Sequence, residues 1–137
     1  MVNLHPYLLF TGNCREAMTF YQRCLGGELS IMSYGESPGG ADMPAETRDN
    51  VLHAMLSGSG VTLMGSDQPS DIAVAQGGPV TLALASADRD EIRAAFDQLA
   101  DGGTVTQPLM EAFFGLFGML TDRFGFNWMF QAGQGPS

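Results

Sequence analysis

A chain of 137 residues is the size of one domain and can bury a core of its own. With 45% hydrophobic and 15% charged residues the composition is that of a globular protein, which excludes fibrous and disordered classes. Six Lys and Arg against fifteen Asp and Glu leave a formal charge of -9, and with no basic stripe to offset it a nucleic-acid partner is excluded.

No apolar run reaches the roughly 18 to 20 residues that cross a bilayer, so no membrane span is expected. The opening MVNLHPYLLF lacks a basic segment and a small-residue cleavage site, which reads as mature sequence of a cytoplasmic protein. Cys14 and Cys24 fall in one predicted helix with roughly 15 Å of rise between them, too far to pair. Two cysteines support neither a disulfide framework nor a cysteine zinc site.

In chain order, His5 to Phe10 is a short β-rich run closed by Thr11-Gly12-Asn13. The following helix has Asn13 as its expected N-cap, Glu16 three residues on, and Gly26-Gly27 as its stop. Ala17, Phe20, Tyr21, Cys24 and Leu25 make its apolar stripe. Glu28 to Tyr34 alternates with a strand period. Gly35 to Arg48, rich in Gly and Pro, is the longest irregular stretch and is expected to be a mobile flap. Asp49 to Ser57 and Val61 to Ser66 read as a hairpin joined by Gly58-Ser59-Gly60.

Asp67 to Gly78 is a linker without strong periodicity. Val80 to Ala85 is the next strand, followed by a helix with Asp88 as N-cap, Glu91 in its first turn, an inner stripe of Ile92, Ala95, Phe96 and Leu99, and Gly102-Gly103 as its stop. Thr104 to Leu109 is a strand whose Pro108 suits an edge. Ala112 to Thr121 is rich in Phe and Gly. Asp122-Arg123-Phe124-Gly125 is a turn before a last strand, Phe126 to Gln131, and the tail from Gly133 to Ser137 is expected to fray.

The two halves repeat one pattern at an offset of 75 or 76 residues, as Asn13 to Asp88, Glu16 to Glu91 and Gly26 to Gly102 show. The order is βαβββ twice. That predicts an α+β fold, one domain over 1–137 made of two tandem βαβββ modules at about 1–67 and 78–132, whose curved sheets enclose a cleft.

Tyr7-Leu8-Leu9-Phe10-x-Gly12-Asn13-Cys14-x-Glu16-Ala17-x-x-Phe20-Tyr21, then Gly26-Gly27-Glu28-Leu29, resembles the opening of the PhnB-like branch of the glyoxalase / bleomycin-resistance / extradiol-dioxygenase group, the vicinal oxygen chelate (VOC) superfamily. Val51-Leu52-His53-Ala54 with Met64-x-Ser66-Asp67 resembles the central hairpin of that branch. Asp122-Arg123-Phe124-Gly125-Phe126-Asn127-Trp128-Met129 resembles its closing strand. The likeness covers nearly the whole chain, failing in the loop from Gly35 to Arg48 and in the tail.

The resemblance implies a cleft in which many members hold a divalent metal with His, Glu or Gln. Aligned on the helix caps and the Asp-x-x-Gly turn, the ligand positions fall at or near Pro6, Met64, Thr81 and Met129. A threonine hydroxyl and thioethers do not supply the imidazole or carboxylate donors that such a cation needs, so no cofactor is expected and a divalent metal is disfavoured. An alternative metal set is His5, His53 and Glu111. Glu28 and Glu111, at strand ends, read more simply as solvated or capping charges.

The expected cleft lining is Pro6, Leu8, Phe10, His53, Met64, Thr81, Phe114, Phe117, Trp128 and Met129, with Phe113 nearby. Such a lining suits an organic ligand held by area and shape. Aromatics of this density also describe a core or a dimer interface. Trp128 reads as buried, with its indole N–H on a carbonyl. Cys14 at a helix start invites a lowered pKa, but no base is visible beside it.

A ubiquinone-pathway methyltransferase activity is often ascribed to this branch, and no methyl-donor site is visible. The leading expectation is a PhnB-like protein that binds a small, largely apolar molecule in a metal-free cleft, as a homodimer. Two alternatives stand beside it. One is a metal-dependent enzyme of the glyoxalase, lyase, isomerase or dioxygenase type. The other is an antibiotic-sequestering resistance protein, which predicts an acidic cleft for cationic ligands. Catalytic residues are not identifiable from the sequence.

Overall fold

Each half of the chain builds its own sheet. The computed structural model describes residues 2–58, 60–68 and 78–133; Ser59, most of the expected linker and the tail beyond Gly133 lie outside them. Two compact units, Met1–Val74 and Ala75–Ser137, divide the chain. None of the described helices is long and apolar enough to cross a membrane.

The first unit runs β1 (Tyr7–Phe10), α1 (Cys14–Leu25), β2 (Glu28–Ser33), a turn segment, β3 (Val51–Gly58) and β4 (Val61–Asp67). Its sheet order is β1-β4-β3-β2, with β1 parallel to β4 and the other pairs antiparallel. The second unit runs β5 (Leu82–Ser86), a helix at Arg89–Ala100, β6 (Thr104–Ala112), β7 (Gly115–Thr121) and β8 (Asn127–Ala132). Its order is β5-β8-β7-β6, with the same directions. This is the tandem βαβββ fold, and neither sheet closes on itself.

Helix α1 packs on β2, β3 and β4. It buries Cys14, Ala17, Met18, Phe20 and Tyr21, so the contact stripe starts one turn earlier than expected, and Cys24 and Leu25 are only half-buried. Each large apolar side chain so buried contributes about 1.5–3 kcal/mol. Gly27 takes φ +98° where the chain leaves the helix, and a side chain there would meet the carbonyl oxygen of Ser57 at 2.8 Å. Only glycine fits that turn.

The expected Asn13 cap is not made: its side chain accepts no helix N–H. Asp67, 1% exposed at the end of β4, takes over the role. Its Oδ1 accepts from the backbone N–H of Gly12 at 2.8 Å and of Cys14 at 3.0 Å, and its Oδ2 accepts from Val51 N–H at 2.8 Å. A carboxylate at a helix N-terminus also meets the positive end of the dipole.

Between β2 and β3 the segment expected as an irregular flap folds into two 3₁₀ turns, Tyr34–Glu36 and Gly40–Asp42, and a one-turn helix α2, Ala45–Arg48. The Glu36 carboxylate accepts from Ser33 N–H and Ser33 Oγ–H, and the Tyr34 hydroxyl donates to the carbonyl of Asp67. These bonds tie the start of the segment to the ends of β2 and β4.

The second helix, α3 (Arg89–Ala100), matches its expected design. Asp88 caps it by accepting from Asp90 N–H and Glu91 N–H, and Ile92, Ala95, Phe96 and Leu99 are its buried residues. Phe96 meets Phe130 of β8 edge to face with centroids 5.0 Å apart. Strand β6 lies at the sheet edge, and its register with β7 shifts on both sides of Gln107, the second shift spanning Pro108. A residue without an N–H is tolerated there because the ladder is already interrupted.

Candidate functional site

Within each unit one face of the sheet is covered by the unit's own helix, and the other, called the open face below, carries no helix of that unit. In the first sheet Leu8 and Phe10 belong to the helix side, 5% and 3% exposed. The Phe10 ring and the Cys14 sulfur both lie beside Gly65, on the side where a side chain of that residue would project. Because side chains alternate along a strand, Tyr7 and Leu9 take the open side, and both are exposed. This corrects the expectation for the first strand, which put Leu8 and Phe10 in the cleft lining. The strand period is as expected and its phase is inverted.

The pairing register lays out the rest of that open face. Met64 is opposite Tyr7 on one side and Met55 on the other, and Met32 is opposite His53. Tyr7, Leu9, Met32, His53, Met55 and Met64 therefore share one apolar surface, with Tyr7 and Met32 nearly half exposed. The Tyr7 hydroxyl lies 3.2 Å from His53 Nδ1. Pro6 precedes β1 and is exposed, its carbonyl accepting from Met64 N–H.

In the second sheet Trp128 and Phe130 point to the helix side and are buried. Trp128 was expected among the lining residues with its indole on a carbonyl; instead its Nε1–H donates to Asp122 Oδ2 at 2.8 Å. Asp122 Oδ1 accepts from Phe124 N–H and Phe126 N–H, so one buried carboxylate organises the turn and the tryptophan together. Met129 and Phe117 take the open side, where Met129 pairs with both Ala83 and Met119. Thr81 stands one residue before β5, half-buried and in phase with Ala83. Phe114, in the β6–β7 turn, packs edge to face against both Phe113 and Phe117.

The alternative metal set does not gather within either unit. His5 is exposed ahead of β1, Glu111 is ion-paired with Arg89, and His53 engages Tyr7. Among the described residues no group of three or more His, Cys, Asp or Glu side chains is placed to hold a metal ion. Met64 and Met129, on the open faces, present thioethers, which suit soft ions and leave a hard or borderline divalent cation without its donors. Pro6, Met64, Thr81 and Met129, where the resemblance implies the ligands, offer no imidazole or carboxylate to such a cation.

Cys14 is not an activated nucleophile. Burial first, then the neighbouring Asp67 carboxylate, push its thiol from 9.0 up to about 12, against a smaller lowering by Arg15. Desolvation outweighs the helix dipole here. A depression of about 500 Å³ beside α1, bounded by Gly12, Asn13, Arg15, Glu16, Asp49 and Asp67 among others, carries charges of both signs. Neither it nor Tyr7 stands out in the sequence; for Tyr7 the signal is strand phase, readable only once β1 is paired.

Comparison with known proteins bears on this arrangement. Residues 3–130 match the family described as the Glyoxalase/Bleomycin resistance protein/Dioxygenase superfamily. Protein YjdN of Escherichia coli (strain K12) is 39% identical over 137 residues, covering 92% of either chain. The crystal structure of protein PA1353 from Pseudomonas aeruginosa superposes with a TM-score of 0.87 at 37% identity, over 98% of this chain and 99% of that one. The PhnB protein of Bacillus cereus superposes with a TM-score of 0.78 at 27% identity, over 96% and 99%.

Proposed function

The chain belongs to the glyoxalase/bleomycin resistance protein/dioxygenase superfamily, and from that premise we propose that it binds a small, largely apolar organic molecule on its open sheet faces without using a metal ion. The observation that carries this reading is the chemistry of those faces. Where the resemblance places imidazole or carboxylate donors, the first unit presents Met64 on one face with Leu9, Met32 and Met55, and the second unit presents Met129 on one face with Phe117 and Met119. Thioethers and aromatic rings hold an organic ligand by contact area and adapt to its outline.

Homodimerisation belongs to the same proposal. Strand β6 is a sheet edge, and on it and its turn Val105, Met110, Phe113 and Phe114 are exposed. An apolar edge of this kind is protected by pairing with a second copy. We also infer cytoplasmic residence, in keeping with the acidic composition and the paucity of cysteine.

The test is binding of the neutral dye N-phenyl-1-naphthylamine to protein purified without a chelator, with metal analysis of the same sample. Saturable binding that EDTA does not alter, and that Met64→Asp weakens by at least tenfold, is expected. About one tightly bound divalent ion per subunit, lost on His5→Ala or His53→Ala, would overturn the reading in favour of a metalloenzyme.

A further inference from the structure

Two thioethers and an imidazole are neighbours on the open face of the first sheet. His53 on β3 is the cross-strand partner of Met32 on β2. Met55 follows His53 by two residues on β3 and so takes the same face. Directly opposed Cβ atoms lie about 4.5–5.5 Å apart and diagonal neighbours such as Met32 and Met55 about 7–8 Å, within reach of flexible methionine side chains. Solvent reaches all three residues: Met32 is 48% exposed, and His53 and Met55 are half-buried.

The histidine ring is held in an orientation that suits a ligand. Its Nδ1 lies 3.2 Å from the hydroxyl of Tyr7, which stands on β1, beyond β4. Nε2 is on the opposite edge of the ring, turned away from Tyr7 and toward the side on which β2 carries Met32. When Nδ1–H donates to the phenol oxygen, Nε2 keeps its lone pair. Histidines that bind metals are commonly held in this way, with the second ring N–H on an outer partner.

The donor set decides which ion fits. Thioethers are soft and uncharged, they select Cu(I) among biological metals, and imidazole accepts copper as well. No carboxylate stands among the three, so a hard divalent cation gains nothing there. The formal charge of -9 draws cations toward the molecule. We propose that Met32, Met55 and His53 Nε2 form a site for a soft monovalent cation, Cu(I), for which Ag(I) is a redox-inert probe. This ion is not the divalent cation considered above, and the site neither serves nor depends on the organic-ligand reading.

The experiment adds Ag(I) to the full chain labelled with carbon-13 at its methionine methyl groups. It is run in the wild type and in a Cys24→Ser background, because Cys24 is a half-buried thiol that competes for the same ion. One equivalent should move the methyl signals of Met32 and Met55 and the nitrogen-15 signal of His53 Nε2 in both proteins, and Zn(II) at the same concentration should move none of them. Met32→Leu, Met55→Leu and His53→Leu should each weaken Ag(I) binding by about tenfold or more, since even an outer partner of a metal ligand is worth about that much. Methionine-to-leucine changes conserve volume and keep the fold. Should His53→Leu fail to fold, as judged by circular dichroism, the two leucine variants at Met32 and Met55 decide. Cu(I), added without oxygen in competition with bathocuproine disulfonate, should rank the variants in the same way. The site is overturned if the Met32 and Met55 signals stay still, if Cys24→Ser abolishes binding, if a leucine variant at Met32 or Met55 binds as tightly as its parent, or if Zn(II) binds as well as Ag(I).

Discussion

Replacing Asp67 by alanine probes how the first unit is held together. The carboxylate is 1% exposed and accepts three backbone N–H groups, two at the turn into α1 and one at the start of β3. Hydrogen bonds to a charged group contribute about 1.5–3 kcal/mol each. Removing the side chain also removes the cost of burying its charge, so the net loss is about 3–5 kcal/mol, as for other buried charged groups whose partners are left behind. A domain stable by about 5–15 kcal/mol survives this only marginally. Asp67→Asn keeps an oxygen for Gly12 and Cys14 but turns amide hydrogens toward Val51 N–H, for a loss of about 2–3 kcal/mol. Urea unfolding followed by circular dichroism is the assay. With a slope of about 1–3 kcal/mol per molar, the alanine midpoint should fall by at least about 1 M. A midpoint for Asp67→Ala within about 0.3 M of wild type, at unchanged slope, would refute the assignment of Asp67 as the cap.

Three further outcomes are expected. Because the Cys14 thiol is raised from 9.0 to about 12 in the folded protein, the folded state keeps a proton that the unfolded chain releases. Stability is therefore full below pH 9 and falls as pH rises toward 12, by at most about 1.36 kcal/mol per pH unit. Cys14→Ala should flatten that dependence in urea midpoints taken at several pH values. Asp122→Ala strips the indole N–H of Trp128 and two turn N–H groups of their acceptor; a loss of about 2–4 kcal/mol and a shifted tryptophan emission are expected, and an unchanged unfolding midpoint would contradict the role given to that carboxylate. Phe113→Asp, at a side chain 86% exposed, should leave the fold intact and convert the proposed dimer to monomer in sedimentation equilibrium; a variant that sediments as wild type removes the β6 edge from the proposed interface.

What was readable along the chain is what local physics controls. The stripe of α3 and its Asp88 cap follow from residues within a few positions of one another, and both stand as expected. The Gly26-Gly27 stop and the Asp122-Arg123-Phe124-Gly125 turn are of the same kind. The α1 stripe was placed one turn late because Cys14 and Met18 are buried by the sheet beneath them, and no periodicity announces that sheet. Pro108 marked the β6 edge correctly, since a missing N–H is a property of the residue itself.

The errors share one cause. Alternation in β1 separates two faces without saying which one meets the helix, so Leu8 and Phe10 read as cleft lining when pairing with β4 puts them on the helix-covered face. The cap of α1 comes from Asp67, 55 residues beyond Gly12, and the partner of Trp128 is a carboxylate across a turn. Tyr7 and His53 become one feature only after β4 is laid between their strands. Period, polarity, turn chemistry and the family pattern are written in neighbouring residues, and they determined the tandem βαβββ architecture. The phase of each strand, the caps made from a distance and the polar pair on the open face depend on which strands sit side by side, and the tertiary structure alone decided them.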